Sequence, residues 1–139
     1  MTRNVDGGLD NVEIVGTVAD IPAGSVDVVL TVRNYHDMGE RDGRMAGLER
    51  LMGVLKPGGI LAAVDAHTDN MDERDESVHR INEALARQEM EEAGFVNIES
   101  SDILHNAEDT FDFDGRRAED PIHRYFIHRW ILKAQKPGN

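Results

Sequence analysis

The sequence predicts an α/β domain built on a mostly parallel sheet, and three observations carry that prediction. Val26–Val32 (VDVVLTV) is a continuous β-branched run of the kind buried on both faces of a parallel sheet. Met45, Leu48, Leu51, Met52 and Leu55 follow at helical spacing and stop at Lys56-Pro57-Gly58-Gly59, where a proline and two glycines end the helix. A second aliphatic run fills residues 60–64, so strand, helix and strand alternate.

The remaining elements fall in order around these three. Residues 1–10 are polar, carry Gly7-Gly8 and form a loose arm. Val12, Ile14, Val15 and Val18 predict a short strand over 12–16, closed by a loop at Pro22 and Gly24. The strand at 26–32 ends abruptly at Arg33-Asn34-Tyr35-His36-Asp37, and the one at 60–64 at Asp65-Ala66-His67. Residues 68–76 form a polar linker and lid. Val78, Ile81 and Leu85 open a second helix that runs to about Ala93 and stops at Gly94, before a short strand at 95–98. Residues 101–121 hold seven acids around two phenylalanines and predict a solvated, mobile loop or hairpin insertion. A last strand covers 125–132, with a tail after it.

Composition narrows the function classes. A chain of 139 residues with 40% hydrophobic and 30% charged residues suits one globular domain and one core. There is no cysteine, so disulfides, thiolate metal sites and thiol nucleophiles are excluded. The 27 acids against 15 bases give a net charge of −12, which disfavours nucleic acid and anionic membranes as partners. No apolar run approaches the roughly 18–20 residues of a membrane span, and the first residues lack a signal-peptide core. The expectation is a cytoplasmic domain acting on a small molecule.

Chemistry concentrates at the strand ends. In an open α/β sheet, His36 and Asp37 after one strand and Asp65 and His67 after the next share the carboxyl edge, where ligands bind. His79 is placed at the opening of the following helix, with Asp75 and Glu83 four residues to either side. Without cysteine, imidazole and carboxylate are the ligands for Zn²⁺ or Mn²⁺, and His36, Asp65, His67 and His79 are the candidate set. The alternative is acid–base work, with His36 as base, positioned by Asp37 or Asp65. The bland reading leaves His36 bonded to a loop carbonyl and the acids as a solvated face. His123 and His128 lie five apart on a strand, on opposite faces, and are structural; Trp130 belongs to core or interface. No serine stands in a Gly-x-Ser-x-Gly elbow, and residues 108–120 lack EF-hand spacing.

Several strings together resemble the second half of a class I S-adenosylmethionine-dependent methyltransferase. They are Ala19-Asp20-Ile21-Pro22, Ser25-Val26-Asp27-Val28-Val29-Leu30 and Leu55-Lys56-Pro57-Gly58-Gly59-Ile60-Leu61. Asn34-Tyr35-His36-Asp37 and His79-Arg80-Ile81-Asn82-Glu83-Ala84-Leu85 resemble a bacterial subgroup of that family more specifically. The resemblance covers nearly all of residues 10–136 and implies a partial Rossmann-like sheet, mostly parallel with an antiparallel last strand, missing its first two strands. It implies that Asp20 matches the acid contacting the donor's adenine, while the glycine-rich donor loop has no counterpart. A truncated domain that binds S-adenosylmethionine weakly or not at all, and does not transfer methyl groups alone, is the expected function. Two alternatives stand beside it: a metal-dependent hydrolase of activated esters or phosphoesters, and a non-catalytic interaction module. The family's strand order, 3-2-1-4-5-7-6, puts the strand at 12–16 three places from that at 26–32, a gap of about 14 Å. Either the first strand collapses onto the other, or the exposed edge pairs with a second copy; a homodimer is expected.

Overall fold

The computed structural model describes residues 3–4, 11–114 and 126–138. A small antiparallel pair, β1 (Arg3–Asn4) and β2 (Glu13–Ile14), precedes a four-stranded sheet. That sheet is formed by β3 (Val26–Val32), β4 (Leu55–Ala66), β5 (Val96–Ser101) and β6 (Arg129–Gln135), in the order β3-β4-β6-β5. β3 and β4 pair in parallel, and β6 runs antiparallel to both its neighbours, so β3, β4 and β5 share one direction. Helices α1 (Arg41–Val54) and α2 (Glu83–Glu92) supply the second layer.

Side-chain alternation puts both helices on the same face. Leu61, Ala63 and Asp65 of β4 stand opposite Ala134, Leu132 and Trp130 of β6, and all six are buried. Leu48 and Leu51 of α1 and Leu85, Ala86 and Met90 of α2 pack onto them. Trp130 is core, and its indole N–H donates to the Ile81 carbonyl at 2.9 Å. The other face carries no described helix. There the β-branched run of β3 is not buried on both sides: Val28, Leu30 and Val32 are 58%, 66% and 49% exposed. The continuous run predicted two covers, and the described residues supply one.

The strand expected over 12–16 shrinks to Glu13–Ile14 and pairs with β1, so it does not collapse onto β3, whose outer edge carries no strand partner among the described residues. α1 ends where expected, but β4 starts at once, with Gly58 (φ +76°) inside it. The second helix starts later than expected, at Glu83. Asn82 caps it by accepting from the Ala84 and Leu85 N–H groups, and His79 lies before it in the left-handed region at φ 54°. His79 therefore shares no helical face with Asp75 and Glu83. Residues 102–114 form turns, yet they are anchored: Asp109 is buried on Arg80. The last strand begins at Arg129 rather than at residue 125; Tyr125, His123 and the rest of 115–125 lie outside the described residues.

Candidate functional site

The loop leaving β3 is fastened before it reaches its chemistry. Arg33 N–H makes the last ladder bond to the Val64 carbonyl at 2.8 Å, and the chain turns through Arg33 at φ 60°. Tyr35 is fully buried, edge-on to Trp130, and its hydroxyl donates to Glu89 of α2 at 2.9 Å. Burial and the Glu89 charge push the Tyr35 phenol far up, so it stays protonated. After the 3-10 turn His36–Met38, the Gly39 carbonyl accepts from the Arg44 guanidinium of α1 at 2.8 Å. Arg44 in turn bonds Glu89 through Nε (2.9 and 3.1 Å) and Nη2 (2.6 Å). Gly47 lets α1 approach this turn, since a Cβ there would stand 2.7 Å from the Met38 sulfur.

Within the clamped loop His36 is buried and held by Asp65, which is fully buried at the end of β4. Asp65 accepts from the His36 backbone N–H at 2.9 Å, and its two oxygens lie 2.8 and 2.9 Å from Nδ1. It also accepts from the Ala66 N–H at 2.8 Å and has the Arg33 guanidinium 3.9 Å away as counter-charge. Asp65 accepts the Nδ1–H of the imidazole and fixes the orientation of the ring. Nε2 is buried without a hydrogen bond; Asp37 Oδ1 stands 3.2 Å from it. His79 Nδ1 faces the same Asp37 oxygen at 4.0 Å, and its Nε2 faces Asp114 at 3.8 Å.

His79 is brought here by the turn behind it. Asp75 and Arg80 exchange backbone bonds of 2.8 and 3.0 Å, and buried Arg80 bonds Asp109 at 2.7 and 3.1 Å. Arg80 also donates to the carbonyls of His67 and Phe113, and its guanidinium lies over the Phe113 ring at 5.1 Å.

Of the predicted residues, His36, Asp37, Asp65 and His79 come together, with Asp65 behind His36 rather than beside its free nitrogen. His67 does not join them. Its ring packs against His128 at 5.0 Å and Phe111 at 5.2 Å, and His128 stacks on His105 at 4.2 Å. Burial first, then the neighbouring imidazoles, hold His67 and His128 below the ordinary histidine pKa. Asp20 is exposed and accepts from the Thr17 N–H at 3.0 Å in a capping box. Among the described residues, His36, Asp37 and His79 are the His/Asp set that can hold a metal: one ligand atom from each lies within 4.8 Å of the others.

The clamp itself was missed in the sequence, though a signal was there. Arg44 lies on the apolar stripe of α1 with Leu48 and Leu51, and Glu89 on that of α2 with Leu85. Opposite charges on two core-facing stripes are the mark of a buried pair.

No family model matches the chain, and no curated protein does either. Solved structures do. A SAM-dependent methyltransferase from Archaeoglobus fulgidus superposes with a TM-score of 0.58 at 10% identity, over 86% of this chain and 63% of that one. One from Aquifex aeolicus gives 0.52 at 17% identity, over 83% and 48%. Haemonchus contortus phosphoethanolamine N-methyltransferase 2, solved with phosphomonomethylethanolamine and S-adenosylhomocysteine, gives 0.55 at 16% identity, over 84% and 34%. The chain thus spans between 34% and 63% of the length of these structures. Three co-directional strands, an antiparallel β6 inserted between β4 and β5, and these superpositions show a class I methyltransferase-like fold.

Proposed function

We propose that the described residues form the methyl-acceptor side of a methyltransferase site and do not transfer methyl groups on their own. The observation that carries this is the meeting of the two strand-end loops at the Asp65–His36 pair, at the carboxyl edge of parallel β3 and β4. An acceptor hydroxyl or amine placed there meets a loop already ordered by the Asp65–His36 pair. The donor side is represented by Asp20, whose carboxylate is engaged in capping. A donor needs a cradle that fixes the methyl group for in-line attack, and positioning is most of such catalysis.

Calorimetric titration with S-adenosylmethionine and S-adenosylhomocysteine tests the reading. Dissociation constants weaker than about 1 mM, less than about 4 kcal/mol of binding, are expected. A micromolar constant would mean a complete donor site and would overturn the proposal.

A further inference from the structure

His36 Nε2 is left without a hydrogen bond in a side chain only 2% exposed, and such a nitrogen calls for a partner. What it faces is a carboxylate and a second imidazole: Asp37 Oδ1 at 3.2 Å, and beyond it His79 Nδ1, 4.0 Å from that oxygen. Two further features favour a cation between them. His79 holds a left-handed φ of 54°, uncommon for a side chain with a Cβ, and in that conformation Nδ1 faces the cluster. Asp65 takes the Nδ1–H of His36 from behind, the carboxylate–histidine pairing that orients and strengthens an imidazole as a ligand. Asp114 lies 3.8 Å from His79 Nε2, within ion-pair distance.

We propose that His36 Nε2, Asp37 and His79 Nδ1 bind a divalent transition metal, with Asp65 and Asp114 as outer partners. Two imidazoles and one carboxylate suit the zinc class rather than calcium or magnesium, which take oxygen ligands. Bonds of ~2.0–2.2 Å separate neighbouring ligand atoms by roughly 3.3–3.5 Å. The His36 ring is fixed, but the side chains of Asp37 on the same turn and of His79 are 45% and 23% exposed and can rotate to close the remaining gap. Their exposure also leaves a fourth position open for an oxygen ligand, water or an acceptor hydroxyl. Only the acceptor as ligand rests on the methyl-transfer reading; metal binding does not.

Chelator-treated protein is titrated with Zn²⁺ by calorimetry and with Co²⁺ by visible absorption. One equivalent bound at micromolar or better affinity is expected, with the cobalt spectrum of a four-coordinate N₂O₂ site. His79→Ala, at a half-buried turn position outside the hydrophobic core cluster, should weaken binding at least 100-fold, and Asp65→Asn by about 10–100-fold. His128→Ala should change neither, and far-UV circular dichroism confirms that each variant is folded. Absence of stoichiometric binding, binding indifferent to His79→Ala, or binding lost with His128→Ala would each overturn the assignment. None of these outcomes depends on the S-adenosylmethionine titration, so the two proposals fail separately.

Discussion

Replacing Glu89 by alanine tests the clamp that holds the site. Both Glu89 and Arg44 side chains are 1% exposed, and Glu89 accepts from Arg44 Nε, Arg44 Nη2 and the Tyr35 hydroxyl. The alanine variant strands those donors and leaves a guanidinium charge in the core, with the Gly39 carbonyl as its remaining hydrogen-bond acceptor among the described residues. Breaking a buried pair from one side costs about 3–5 kcal/mol. At roughly 3 °C per kcal/mol for a domain of this size, the melting temperature should fall by about 10–15 °C. Trp130 is the single tryptophan and is fully buried, so its fluorescence reports urea unfolding directly. The double variant Arg44→Met/Glu89→Leu removes both charges and should recover most of the loss, because the penalty lies in the unpaired charge and not in the missing attraction. A Glu89→Ala loss below about 1 kcal/mol, or a double variant as damaged as the single, would refute the reasoning.

Acid should weaken the fold through the second histidine cluster. His67 and His128 are held below the unfolded value of 6.5, so the unfolded chain binds more protons. Their contribution is complete above about pH 6.5 and is lost as pH falls through the lowered native values. Urea midpoints between pH 7.5 and 5 should decline, and His67→Gln/His128→Gln should flatten that slope; equal slopes would reject the assignment. Arg80→Ala should cost about 3–5 kcal/mol by removing the buried counter-charge of Asp109, and should open residues 109–114 to proteolysis before the sheet. An unchanged cleavage pattern would show that Arg80 does not anchor this segment. The outer edge of β3, with seven residues and exposed Val28, Leu30 and Val32, is suited to pair with a second copy across at least ~1,000 Å². Light scattering should give a dimer that Leu30→Lys dissociates; a monomer at high micromolar concentration would reject it.

What was legible in the sequence was what local pattern controls. The β-branched run of β3, the helical spacing that ends at Leu55 and the polar residues at both strand ends fix their elements without knowledge of partners. His36 and Asp65 were legible as a pair because both follow strands of one sheet. What failed depended on contacts remote in sequence. The second helix was started too early because Val78 and Ile81 mimic its period, whereas Asn82 sets its cap and Arg80 pulls the preceding turn onto Asp109. His67 groups with His36 by its nearness to Asp65 in the sequence, but it lies just beyond β4, where its ring packs on Phe111 and His128 instead. The acidic stretch reads as solvated because composition does not mark Asp109, which meets a buried arginine.

Fastening Tyr35 to α2 and Gly39 to α1 also sets how the site answers a ligand. The His36 turn cannot open without parting the two helices, so its amides should exchange with solvent only through global unfolding. His36 and Asp65 are then ordered before anything binds, and a ligand meeting them loses little affinity to ordering them. The side chains of Asp37, exposed on that same turn, and of half-buried His79 must still be gathered in. One half of the cluster is a fixed template and the other a closing jaw.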